Sequence, residues 1–106
     1  AAVRARVTAA RERQRQRFAK HGASGMRTNA EASGRILEEI ARPDADGVAL
    51  LRQAAETLQL SARGFHRTLR VARTLADLDG AEIVGRIHIA EALSYRGEVL
   101  RQQNAA

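Results

Sequence analysis

The chain has no cysteine and no tryptophan, one proline, and three aromatic residues, Phe18, Phe65 and Tyr95, among 106. Without cysteine, disulfides and thiolate metal sites are excluded. Aromatics make up 3% against 44% apolar residues overall, so the core must be built from Leu, Ile, Val and Ala. That composition suits packed helices better than a sheet sandwich. No stretch approaches the roughly 18 apolar residues of a membrane span, and no membrane partner is expected. The N-terminus is arginine-rich and lacks an apolar stretch, so it does not read as a secretory signal. A cytoplasmic location is the expectation. The length implies one domain over residues 1–106. The blunt start Ala1-Ala2-Val3 is expected to belong to a piece of a longer chain.

The net charge of +6 is unevenly placed. Residues 1–27 hold eight cations (seven Arg and Lys20) against Glu12 alone, a net of +7, while the other 79 residues carry ten arginines and eleven acids, a net of −1. The basic character belongs to one segment, which says more than the total.

Five helical segments are predicted, giving an all-α bundle of four to five helices. Residues 1–21 form a basic entry helix with a thin apolar stripe, Val3, Val7, Ala10 and Phe18, interrupted by Gln14. Such a stripe is too narrow for a helix buried deep in a core. The compact part spans 28–100, and 101–106 is a frayed tail. Thr28 and Glu31 fit a capping box. Asp44 can cap the helix that follows Pro43, and Ser61 the fourth helix. Leu60 and Phe65 stand at the two positions of a hydrophobic staple. The fourth helix should run to Asp79, with Gly80 as its left-handed stop. Ile89 and Leu93, with Val99 or Leu100, are the expected core residues of the last helix.

At about 100° per residue, Phe65, Leu69, Ala72 and Ala76 fall on one side of the fourth helix. Arg63, Arg67 and Arg70 fall opposite, with Arg73 at the edge. Two readings of that arginine face stand. It is a solvated surface, with Arg73 paired to Asp77 one turn on, worth about 0.2–0.5 kcal/mol. Or it is an anion site, because Arg63 lies in the first turn, beside free amides and the positive end of the dipole. Arginine's planar fork matches phosphate oxygens. A cation there opposes the dipole, a placement easier to understand if the residue has a task.

Three separated motifs carry a resemblance. They are Leu60-Ser61-Ala62-Arg63-Gly64-Phe65-His66-Arg67, then Arg70-Val71-Ala72-Arg73-Thr74-Leu75-Ala76-Asp77-Leu78, then His88-Ile89-Ala90-Glu91-Ala92-Leu93-Ser94-Tyr95-Arg96. With Ala10-Arg11-Glu12-Arg13-Gln14 and Thr28-Asn29-Ala30 before them, they resemble the C-terminal domain of magnesium-chelatase-like AAA+ ATPases, in particular the ComM-type proteins. The resemblance covers nearly the whole chain. It implies a helical lid following a nucleotide-binding core, in a ring homo-oligomer that uses ATP with Mg. It places the sensor 2 arginine, which contacts the γ-phosphate, on Arg63, with Arg67 as a second candidate. Arg70 and Arg73 are then left as surface charges. The chain has no P-loop, so no catalytic residue is assigned and no cofactor is expected on the isolated domain. The expected partners are the ATPase core of the same chain and neighbouring subunits.

Arg11, Arg13, Arg15 and Arg17 are candidates for subunit or nucleic-acid contact. Their charge would neutralise several phosphates, but they sit at nearly every helical angle and few aromatics accompany them. A basic helical DNA-binding module is the alternative reading. His66 and His88 lack a third ligand in register and read as structural, so no metal site is expected. Tyr95 is expected to pack the last helix against the fourth.

Overall fold

A computed structural model of the chain describes residues 2–20 and 34–105, with side chains described to Tyr95. Among these residues are five helices: α1 (Ala2–Lys20), α2 (Gly34–Ile40), α3 (Ala45–Thr57), α4 (Ala62–Leu78) and α5 (Arg86–Ala105). The expected all-α bundle is what is found. The Thr28–Glu31 capping box lies outside the described residues, as do the Val99 and Leu100 side chains.

Local chemistry sets the helix ends. Asp44 caps α3, its Oδ1 accepting the Gly47 amide at 2.8 Å. Ser61 caps α4, its Oγ accepting the Gly64 amide at 3.1 Å. Each satisfies an amide that has no partner within its helix. At the far end of α4, Gly80 has φ +75, and the Ala81 amide donates back to the Ala76 carbonyl at 2.8 Å. This is the Schellman stop, which glycine occupies without a Cβ penalty. α3 ends the same way with Gln59 at φ 50, the Leu60 amide donating to the Ala55 carbonyl at 3.1 Å.

The α2–α3 and α4–α5 connections meet in a parallel bridge between Pro43 and Val84. There the Asp44 amide donates to the Val84 carbonyl at 2.9 Å. Gly47 makes this approach feasible, because a Cβ there would stand 2.8 Å from the Pro43 Cβ and 3.5 Å from the Arg86 nitrogen.

Helix α4 is the centre of the bundle. α1, α2 and α5 all pack on it, and α3 packs on α5. Leu69, Ala72 and Ala76 of α4 meet Phe18, Leu37, Ile40, Leu51, Val84, Ile89 and Ala92 in one core. Burial of these side chains, at about 25 cal/mol per Å2 of apolar surface, is the main stabilising term.

The thin stripe of α1 therefore does more than its width suggested. Ala10, Gln14 and Phe18 are buried, Phe18 completely. Only the first part of the stripe stays open, with Val3 74% and Val7 38% exposed. The seat works because much of the contact between α1 and α4 is polar, which apolar periodicity does not record.

Candidate functional site

The fourth helix divides along its length. In its first turn Arg63 is exposed, and so is Arg67 one turn on. Ser61 uses the Gly64 amide, and the Phe65 amide bonds the Ser61 carbonyl at 2.8 Å. The Ala62 and Arg63 amides therefore lie at the open positive end of the helix, where anions are favoured. Arg67 and Arg70 share a shallow groove of about 450 Å3 with Val71, Thr74 and Leu75. Arg63 is not among its lining residues. Neighbouring His66 leans the other way, its Nε2 3.5 Å from Glu38 Oε1 of α2.

The second half of the arginine face is not a surface. Arg73 is 2% exposed and Asp77 is fully buried, which corrects the expectation that Arg73 is a surface charge. The reason is that α1 crosses the back of α4 there. Arg17 Nη1 donates to Asp77 Oδ2 at 3.0 Å and Nη2 to Oδ1 at 2.5 Å. Arg73 Nη2 lies 3.0 Å from the same Oδ1, so the expected Arg73–Asp77 pair exists, but indoors. Arg13 adds a bond from Nη1 to the Asp77 carbonyl at 3.0 Å.

Arg73 also ties three segments together. Its Nη1 donates to the carbonyls of Ile40 (3.2 Å) and Glu82 (2.9 Å), and its Nη2 to that of Ala81 (2.8 Å). The end of α2 and the α4–α5 connection are thus held by one guanidinium. Burial pushes the Arg73 pKa below its ordinary value and the Asp77 charge opposes that shift. The group stays cationic, because an arginine is not deprotonated in proteins. Its Nε has no partner among the described residues. These are structural contacts, and they occupy a charge that the helical wheel had left to solvent. The missed signal was Asp77, which falls between Arg73 and Arg70 on the wheel.

The four arginines singled out on α1 do not act together. Arg13 and Arg17 hold the end of α4. Arg15 pairs with Glu12 at 2.6 Å, which lowers the Glu12 pKa chiefly through that hydrogen bond. Only Arg11 of the four is exposed with no bond or ion pair among the described residues.

His88 is 6% exposed. Its Nδ1 accepts the Gly85 amide at 2.9 Å, so the proton lies on Nε2, which faces Asp79 Oδ2 at 3.0 Å. It serves α5 as the third residue of a capping box serves its N-cap amide, in line with its structural reading. Tyr95 is 51% exposed, so its expected packing role passes to Ile89 and Ala92. Among the described residues no three His, Cys, Asp or Glu side chains come together as metal ligands. No described helix is long and apolar enough to cross a membrane.

The family model for the C-terminal part of the magnesium chelatase ChlI subunit matches residues 1–96. An uncharacterized protein of Mycobacterium tuberculosis is 48% identical over 94 residues, 89% of this chain and 18% of the relative. The competence protein ComM of Haemophilus influenzae is 36% identical over 99 residues, 93% of this chain and 18% of that protein. The uncharacterized protein YifB of Escherichia coli is 38% identical over 96 residues, 91% of this chain and 18% of that protein. The chain thus spans 18% of the length of these relatives. No solved structure matches. The chain belongs to the magnesium chelatase ChlI C-terminal family.

Proposed function

We propose that this family member works as the helical lid of an AAA+ ATPase of the magnesium chelatase and ComM group, sensing bound ATP through Arg63. The observation that carries the reading is the split of α4. Its C-terminal arginine is consumed by the core, while Arg63 stands exposed at the open amide end of the same rigid helix. A fixed guanidinium there favours a triphosphate and the charge that builds on it during phosphoryl transfer. Arg67, one turn on, is the second contact.

The donor set fits phosphate oxygens and not a metal. It offers a guanidinium fork and helix amides, with no acidic cluster among the described residues. Magnesium ATP would therefore be held by the ATPase core of the parent, and this domain supplies one side of the site. In a ring homo-oligomer the lid would also contribute to subunit contact.

The DNA-binding alternative is weakened by the fate of the α1 charges. Arg13 and Arg17 already serve α4, and Arg15 is paired with Glu12, which leaves Arg11 alone of the four without a bond among the described residues. Turnover of ATP by the full-length parent tests the lid reading. Arg63→Ala should lower it about tenfold or more, and an unchanged rate would contradict the sensor role.

A further inference from the structure

A second groove lies between α2, α3 and α4. It encloses about 230 Å3, and Val48, Phe65 and Leu69 are among its apolar walls. Arg42 lines it from the connection after α2 and Arg52 from α3, and both are exposed. Among the described residues neither makes a hydrogen bond or ion pair. The one acid in the groove, Glu38, is turned toward His66. An apolar floor flanked by two uncompensated guanidiniums is complementary to an apolar side chain flanked by carboxylates.

We infer that this groove docks an acidic, apolar-bearing segment of the ATPase portion of the parent protein. One apolar side chain sits on the Val48–Phe65–Leu69 floor, and carboxylates meet Arg42 and Arg52. Two observations favour that occupant. Relatives matched by this chain are covered over only 18% of their length, so most of such a protein lies outside this domain. Phe65 also stands two residues after Arg63, so a segment seated on it fixes the end of α4 that carries the proposed sensor. The groove is small, and the contact is an anchor within a larger interface. The inference rests on the lid reading.

Photo-crosslinking in the full-length parent tests it. Benzoylphenylalanine is placed at Ala45 and, separately, at Glu56, exposed positions one turn either side of Val48 and Arg52. The expected crosslink is to a segment of the ATPase portion that carries Asp or Glu beside an apolar residue. Arg42→Glu with Arg52→Glu should lower its yield about tenfold. Both sites are exposed, so the melting temperature of the 106-residue chain should move by only about 3 °C. Absence of a crosslink, a crosslink to another copy of this domain, a captured segment without acids, or a yield indifferent to charge reversal would each overturn the inference. ATP turnover of Arg63→Ala in the same preparation separates the two claims. A lost sensor effect with the crosslink intact sinks the sensor alone, and the converse sinks the groove alone.

Discussion

Asp77→Asn is expected to cost this fold much of its stability through charge alone. It keeps the size of the side chain and removes its charge. Asp77 is fully buried, and the Arg73 and Arg17 side chains beside it are 3% and 15% exposed. Breaking a buried pair by removing one charge costs about 3–5 kcal/mol, because the other charge stays buried without compensation. Two features reduce that here. Arg73 keeps its bonds to the carbonyls of Ile40, Ala81 and Glu82, and Arg17 is exposed enough to turn toward water. The expected loss is about 2–4 kcal/mol, or about 8–32 °C in melting temperature at about 4–8 °C per kcal/mol. Urea denaturation followed by circular dichroism at the helical band measures it. A double-mutant cycle with Arg17→Met should show coupling of about 1 kcal/mol or more. A loss below about 1 kcal/mol, or additive single mutants, would refute the claim that this cluster fastens α1 to α4.

Gly80→Ala should destabilise by about 1 kcal/mol, because residue 80 keeps φ +75 and an added Cβ would stand 3.4 Å from Arg13 Nη2; an unchanged urea midpoint would show that the turn tolerates a side chain. The 106-residue chain alone should show no micromolar affinity for ATP by titration calorimetry, since one or two exposed arginines form no phosphate cradle. A dissociation constant at or below about 10 μM, about −7 kcal/mol, would mean that a complete nucleotide site exists here.

The sequence made the helix ends legible because they are settled within a few residues. Asp44, Ser61 and Gly80 act through bonds to their own helix, and each was readable from type and position. The apolar side of α4 was readable for the same reason, since Leu69, Ala72 and Ala76 repeat at helical spacing. What lay beyond reach was what stands behind that helix. A wheel assigns one buried side, and α4 is buried on two sides near its C-terminus. The helix that covers the second side, α1, shows a stripe too narrow to announce deep burial, because Gln14 interrupts it. The polar groups beside that stripe are what hold it. Arg17 finds Asp77 across 60 residues of sequence, and no local pattern announces such a pair. The Arg42–Arg52 groove is hidden in the same way, because its walls come from three helices.

The proposed sensor role gives Arg63 its work outside the domain, and like Arg67 it is exposed with no bond or ion pair among the described residues. Its removal should leave the fold within about 0.5 kcal/mol of the parent, since it is exposed and its charge opposes the helix dipole. The most direct test is therefore a paired measurement on Arg63→Ala: ATP turnover in the full-length parent, and the melting temperature of the 106-residue chain. A fall of about tenfold or more in turnover with an unmoved melting temperature is the predicted result. Turnover equal to that of the unsubstituted parent would contradict the central claim that this domain reads the nucleotide through Arg63.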